Sequence, residues 1–568
     1  MQSDVRGTGL SRTHWRLITP DTLPIDIPGV HPLLAQLLCN RGISEPSQVE
    51  LFLSADKRLE ADPFLLPDMH QAVSRTYQAL LTGEEIAIYG DFDADGITAT
   101  ALLVQGLSAL GGKVIPYIPH RYREGYGLQI AALEKLHKQG VNLVITVDTG
   151  ITAIAEIQKA TKMGLDIIVT DHHLPLTSLP PALAVVDPKR SDSACQSIEL
   201  AGVGVAFKLL QALLKGSGRE ELLNSLLDLV ALGTVTDMIP LTGDNRHWVK
   251  RGLEIINNTE RLGLQEMMRC ASLKPGNLDA ESISWILGPR LNAAGRLDNA
   301  ATSYQLLLTQ DRQEAASLAS ELEEKNAKRQ RLTSELLERA RENIIAAGTD
   351  FPLLMTGDES YPAGVMGLVA GRLSEEFYRP VILFKFGPET CRGSGRSIPE
   401  FNLMAALKDC RDLLSNFGGH TKAAGFNVPT ANLAQLQKRL LDLAQTQLAG
   451  LDLRPHTDID AEVPLSVFAG ETFKHIQRLA PFGSGNPMPA FVSRHVEIVD
   501  QRQFGSQGEH LGLKLKQGGT VWDAIGFRLG KHAQETTDYL DIAYNLEIDR
   551  WNGGEKLRLK LLDFNPCD

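Results

Sequence analysis

The chain has 568 residues, 43% hydrophobic and 22% charged, with a formal net charge of −12 from 57 basic and 69 acidic residues. That length is too great for one core and predicts about three or four domains. No apolar run reaches the roughly 18 residues a membrane span needs, and so acidic a chain cannot coat duplex DNA through bulk charge. Any nucleic-acid site must be a local basic groove, and part of the acidity can belong to carboxylates that cations neutralise. The N-terminal stretch has no apolar core of the signal-peptide kind. Cys39, Cys195, Cys270, Cys391, Cys410 and Cys567 stand far apart without C-x-x-C spacing. This argues against a zinc ribbon or a disulfide framework and for a reducing cytoplasm.

In chain order, residues 84–188 alternate short apolar runs with helical periodicity. Segments 86–89, 114–118, 143–147, 166–170 and 182–186 read as buried strands, and 129–139 and 153–163 as crossover helices. Such alternation predicts an α/β domain with a parallel sheet covered on both faces. Ligands bind such sheets beyond the carboxyl ends of the strands. Residues 311–347 carry no proline or glycine and end at Gly348, which predicts one helix of about 55 Å. Its middle, 323–331, is polar nearly all round, as in a helix that connects domains. Residues 351–448 mix strands and helices again. From about 458 the pattern becomes period-two: Leu511, Leu513 and Leu515, then Leu540, Ile542, Tyr544, Leu546 and Ile548, then Leu557, Leu559 and Leu561. With turns at Gly518-Gly519 and Gly553-Gly554, this predicts a small antiparallel barrel. The expected division is 1–50, 51–305, 306–348, 349–450 and 451–568.

Polar clusters follow three of the predicted strands: Asp91, Asp93 and Asp95 in GDFDADG, Asp148 in VDTG, and Asp171, His172 and His173 in DHH. A fourth acid, Asp237, ends a predicted helix in GTVTDMIP. In a parallel sheet the first three converge at one edge, where so many carboxylates repel one another unless cations lie between them. Mixed oxygen and imidazole donors suit manganese, with magnesium a substitute, and two such ions can clamp a phosphoryl displacement. Each aspartate alone reads equally as a helix cap or turn residue; four groups in succession do not. DFDADG is not an EF-hand, because Leu102 stands where the loop needs glutamate. AGVGVAF (201–207) lacks a preceding strand and the full G-x-G-x-x-G, so it reads as tight helix packing and not as a dinucleotide loop.

The four motifs, in this order, resemble those of the DHH phosphoesterase superfamily. GPRLNAAGRLDNA (288–300), YPAGVMGLVAGRL, GSGRS, FGGHTKAAGF and PFGSGNPMPAF narrow the resemblance to its bacterial single-strand-specific exonucleases, from about residue 84 to the end. The resemblance implies a DHH domain, a connecting helix, an α/β DHH-associated domain and a C-terminal OB-fold. It also implies a two-metal exonuclease that degrades single-stranded DNA from the 5′ end in recombination and repair. Carried onto this sequence, Asp148 bridges the ions, Asp95, His172 and Asp237 hold one, and Asp93 with Asp91 holds the other. His173 is placed to contact the scissile phosphate or to protonate the leaving oxygen. A single-strand binding protein and a helicase are the partners it implies. Two other readings share the metal motifs: a phosphatase or short-oligonucleotide hydrolase, and a non-catalytic replication scaffold. The GPRLNAAGRLDNA stretch and the C-terminal barrel point to a longer polymer and disfavour the first, and the intact acids and histidines disfavour the second.

Phosphate contacts are expected from Arg121 and Arg123 after the second strand, and from Arg290 and Arg296 by resemblance. RGSGRS (392–397), with Ser394 and Arg396 among glycines, is expected to be an anion-binding loop, and His420 in GGH is similar in kind. In the barrel, Lys514, Lys516, Arg558 and Lys560 alternate with core leucines. With Trp522, Phe527 and Trp551 they fit a single-strand-binding face.

Overall fold

Strand alternation sorts the side chains of the first sheet onto two faces. In β1 (Glu85–Gly90), Ile86 and Ile88 enter one core, while Ala87 and Tyr89 enter another. In the computed structural model, which describes residues 13–19, 29–121, 123–195, 198–549 and 556–567, β1 is central. It pairs in parallel with β2 (Lys113–Tyr117) on one side and β3 (Val141–Val147) on the other. Strands β4 (Asp166–Thr170) and β5 (Ala184–Val186) continue the sheet in the order β2-β1-β3-β4-β5. The direction of winding reverses between β1 and β3, and the crevice of a doubly wound sheet opens at that point.

Helix α1 (Ala94–Ala109) leaves β1, and α2 (Ile130–Lys138) and α3 (Ile154–Lys162) cover the opposite face with Leu133, Leu136, Ile157 and Ala160. Against α1 pack α4 (Gly202–Leu214) and α5 (Leu227–Thr236), both buried along almost their whole length. α6 (Gly288–Leu297) follows.

The described residues form two compact units. One holds those between 18 and 326 together with those from Asp460 onward; the other holds those up to Leu17 together with 327–459. Helix α7 (Arg312–Ala347) runs through both. Ala319 and Leu322 of its first half enter the core under the first sheet. Leu336, Ala340 and Ile344 of its second half pack with Tyr361, Val365 and Val369 of the other unit. That unit carries a mixed sheet of β6 (Leu354–Asp358), β7 (Val381–Lys385), β8 (Thr390–Arg396), β9 (Asn416–His420) and β10 (Ala423–Pro429), in the order β9-β10-β8-β7-β6. Helix α8 (Ala363–Phe377) packs on β7 and β8.

The C-terminal strands β11 (Phe491–Phe504), β12 (His510–Gln517), β13 (Thr520–Gly526), β14 (Tyr539–Asp549) and β15 (Lys556–Cys567) close into a five-stranded barrel of OB type, because β14 pairs with β11 as well as β15. The alternating leucines point inward as expected. One seam differs from the expected pattern: Ala524 and Ile525 run parallel to Leu559 and Lys560. The barrel core also holds Leu33, Leu34, Leu37 and Leu38 of helix Pro32–Cys39 and Val49 and Phe52 of helix Pro46–Ser54. The sequence carried no sign of that use for residues 32–54, since two short helices do not name the surface that covers them. Trp551 and the Gly553-Gly554 turn lie outside the described residues. No helix among the described residues is long and apolar enough to cross a membrane.

Candidate active site

The β1–α1 turn is built by glycines that leave room for backbone. A Cβ on Gly96 would come within 2.6 Å of the Asp91 backbone nitrogen, so the chain can double back there only without one. Asp93 caps α1, its Oδ1 accepting from the Asp95 N–H (3.0 Å) and the Gly96 N–H (3.2 Å). The capping role thus falls on an aspartate that the sequence also marks as a candidate ligand. Asp95 lies inside the first turn, 2% exposed, where the first N–H groups of α4 hold both its oxygens. Gly202 donates to Oδ2 (2.6 Å) and Val203 to Oδ1 (2.8 Å). AGVGVAF, read from the sequence as helix packing alone, is thus also part of the site's frame.

Asp148 ends β3 in the left-handed region at φ +59, and Met238, directly after Asp237, lies there at φ +58. Non-glycine residues in this region are strained, and such strain concentrates at functional sites. Asp237 forms the C-cap of α5. After β4, Asp171 turns back on its own loop. Its Oδ1 accepts from the His172 N–H (2.8 Å) and the His173 N–H (3.2 Å) and meets His173 Nδ1 at 2.8 Å, while the Ile151 N–H donates to Oδ2 (2.9 Å). Asp171 therefore orients the histidines and is no member of a donor cluster.

Three sets of donor atoms each lie within 4.8 Å of one another: Asp91, Asp93 and Asp148; Asp95, His172 and Asp237; and Asp148, His172 and His173. His172 Nε2 is 3.0 Å from Asp148 Oδ1 and 3.7 Å from Asp237 Oδ2. Of the eight residues singled out in the sequence, all but Asp171 belong to these sets. The set fits hard divalent cations, and one oxygen asks for one: Asp91 Oδ1 is buried without a hydrogen-bond partner. Burial first, then the neighbouring carboxylates, pushes the carboxyls of Asp91, Asp148 and Asp237 above their ordinary range, and that of Asp95 up to about 7. For His173, burial opposes the charged ring, but the Asp171 hydrogen bond and the surrounding carboxylates outweigh it and raise its pKa to about 9. Asp171 is likewise opposed by burial, yet its bond to His173 holds it down to about 2.

A carboxyl raised to about 7 in the folded protein from its usual 3.8 stabilises the fold fully only below the unfolded value. That contribution is lost as pH climbs from about 4 to 7, where the unfolded chain gives up its proton first. Divalent cations reverse the loss. The gap in melting temperature between manganese-loaded and EDTA-treated protein is therefore expected to be small at pH 5 and large at pH 8. A gap of equal size at both pH values would remove these carboxylates from the metal site.

GPRLNAAGRLDNA buttresses the β1–α1 turn from below. Asn292 Oδ1 accepts the Ala94 N–H (2.9 Å), a Cβ on Gly295 would strike the Phe92 carbonyl oxygen, and one on Gly288 would strike Thr236 Cγ2. Arg290, expected along the strand path, is instead held in a bidentate pair with Glu323 of α7 (2.6 and 3.2 Å). Arg296 is half-buried in the last turn of α6. Arg121 lies 4.8 Å over the Phe92 ring, near enough to Asp91 to favour its charged form, and Arg123 is exposed.

Two expectations need correction. RGSGRS is not a loop but mostly strand β8, paired with β7 and β10, so its backbone N–H groups are not free to form an anion nest. Its glycines serve packing: Gly393 faces the Phe426 ring, and Gly395 has Leu403 Cδ2 within 2.7 Å of where a Cβ would stand. Ser394 and Arg396 share one face, against Gly367 of α8, where a Cβ would come within 3.1 and 3.0 Å of Ser394 Oγ and Arg396 Nη2. His420 is exposed at the end of edge strand β9. The basic barrel stripe is largely neutralised: Lys516 pairs with Glu497 (3.1 Å), Arg558 with Glu547 (2.6 Å) and Asp549 (3.0 Å), and Lys560 with Glu281 (3.3 Å). Trp522 packs edge-on to Phe468 of the core, so among the described residues of that face Lys514 and Phe527 keep the expected exposure.

Family models match this architecture segment by segment: the DHH family N-terminal domain over residues 85–234, the DHHA1 domain over 349–446 and the RecJ OB domain over 459–563. Fold and donor set together define a metal-dependent phosphoesterase of the DHH type. The chain is 36% identical to the single-stranded-DNA-specific exonuclease RecJ of Bacillus subtilis, over 97% of this chain and 71% of the relative. It is 35% identical to that of Dickeya dadantii, over 95% of this chain and 96% of the relative. It belongs to the RecJ family of single-stranded-DNA-specific exonucleases. Crystal structures of RecJ from Thermus thermophilus agree. The Mn2+ complex is 31% identical with a TM-score of 0.84, covering 98% of this chain and 80% of that one. The Mg2+ complex is 29% identical with a TM-score of 0.79, covering 98% and 79%.

Proposed function

We propose that this metal-dependent exonuclease digests single-stranded DNA from the 5′ end and releases 5′-mononucleotides. The observation that carries the active-site reading is the overlap of the three donor sets: Asp148 and His172 each belong to two of them. On this reading Asp95, His172 and Asp237 would hold one divalent ion and Asp91 and Asp93 a second, with Asp148 available to both. The bound ions supply Lewis acidity to the phosphate and lower the pKa of the attacking water. Asp171 fixes the His173 ring through Nδ1, which leaves Nε2 to hold a proton for the leaving oxygen or to contact the scissile phosphate. An enzyme confined to single strands needs duplexes opened and strands kept extended, so a helicase and a single-strand binding protein are the partners we infer.

The direction of digestion rests on recognition of a terminal phosphate by Ser394 and Arg396. β8 offers this phosphate side chains only, a hydroxyl and a guanidinium on one face, which Gly367 lets approach α8 closely. A terminal monoester carries more charge than an internal diester, and each charge-assisted hydrogen bond contributes about 1.5–3 kcal/mol. The wild-type protein is expected to cut a 5′-phosphorylated strand roughly tenfold or more faster than a 5′-hydroxyl strand. Arg396→Ala is expected to erase that preference while product size stays the same. Rates on both ends for both proteins check this, and a full preference in Arg396→Ala would move end recognition elsewhere.

A further inference from the structure

A cleft of about 890 Å³ opens beside the active site, between the end of α5 and the barrel. Its apolar walls are Met238, Trp285, Phe482, Met488, Leu546 and Ile548. Two of these are left in water: Trp285 is 74% exposed and Met238 73%. An indole left that exposed in a cleft costs hydration free energy unless something covers it. Trp285 stands in the middle of a π-helical turn, Ile283–Leu287, whose two ends are buried and whose centre is thereby pushed outward. Turns of this kind are frequent at functional sites. The turn packs on α5, the helix that ends in Asp237, and Met238 is the next residue. One wall of the cleft is therefore the residue that directly follows Asp237.

The charges of its wall decide what fits. Lys250, Arg478 and Lys560 are offset by Glu254, Asp279, Glu281 and Glu547, so the cleft has no run of cations to follow a phosphate backbone. A flat aromatic beside a thioether, without a rail of positive charge, suits the faces of bases. We propose that Trp285 and Met238 form a stacking platform for a nucleobase of the uncut strand, on the 3′ side of the bond being hydrolysed. This rests on the single-strand reading above and adds the residue that grips the strand between cuts. It also accounts for a barrel with a largely neutralised basic stripe, because grip comes from stacking beside the barrel and not from its lysines.

The test uses the full-length protein with manganese, an oligonucleotide of about 20 residues, and the same strand with one abasic site moved along it. Trp285→Ala is expected to weaken binding and raise KM roughly five- to hundredfold, with kcat at saturation within about twofold, and Trp285→Phe to restore most of the affinity. In the wild-type protein an abasic site is expected to weaken binding at one short window of positions, and in Trp285→Ala that window falls silent. A Trp285→Ala protein that binds the intact strand like wild type, or keeps the same abasic window, overturns the platform and leaves the cleft to a protein segment. Wild-type protein that cuts no single strand at all overturns the substrate reading instead, and the platform with it.

Discussion

Asp148→Asn is expected to lower hydrolysis roughly a thousandfold, because a carboxylate shared by two donor sets supports several kcal/mol of transition-state stabilisation. Asparagine is the informative replacement. It keeps the volume against α4, and it tolerates the left-handed backbone that Asp148 adopts at φ +59, whereas alanine there adds strain of its own. The variant removes one like charge from a buried cluster, so the metal-free protein should melt no lower than wild type. Rate with saturating manganese and thermal unfolding in EDTA are measured together. Turnover within tenfold of wild type would take Asp148 out of the metal site.

Gly202→Ala is expected to do comparable damage without touching any ligand. Its Cβ would land on Asp148 Cβ with the Asp148 Cα at 2.8 Å, and the Gly202 N–H is a donor to Asp95. α4 must retreat, and both carboxylates lose their placement at once. A misplacement of about 1 Å costs on the order of a hundredfold in rate, and overpacking costs about 1–3 kcal/mol of stability. Gly204→Ala is the control: its Cβ would meet Trp248 Cζ3 at 3.3 Å and Leu200 Cβ at 3.5 Å, contacts that a small shift accommodates. The pair is read by manganese affinity, rate and melting temperature. A Gly202→Ala protein with wild-type rate would mean that α4 does not set the geometry of the site.

The strands, their parallel order and the convergence of Asp91, Asp93, Asp95, Asp148, His172, His173 and Asp237 were legible because apolar runs and polar endings are local signals. What stayed hidden depends on partners far away in sequence. Asp171 looks like one more ligand until its oxygens are seen occupied by the His172, His173 and Ile151 backbone and the His173 ring. RGSGRS resembles a flexible loop because glycine is rare inside strands, but here Phe426 and Leu403 fill the space a side chain would take. Lysines that alternate with leucines look like a binding stripe, and only the fold brings Glu497 and Glu281 opposite them. Arg290 is a similar case, since its partner Glu323 lies on another helix. A signal for Gly202 did exist, as glycines spaced at the start of an apolar helix, but not for the carboxylates it meets.

The barrel core that takes in Leu34, Leu38 and Phe52 draws them from one end of the chain and Phe491, Tyr544 and Leu559 from the other. Arg246, fully buried, donates to the Phe52 carbonyl (2.7 Å) and, across a gap of more than 230 residues, to the Leu479 carbonyl (2.9 Å). On a ribosome, the helices at 32–54 emerge roughly 400 residues before their covering strands, a wait of about 20–80 s at ordinary synthesis rates. During that time their leucines are bare and the Arg246 guanidinium has only part of its acceptors. The nascent chain is thus an apolar client for chaperones until the last strands appear, and a message truncated before residue 480 yields a product with its first helices uncovered, marked for proteolysis.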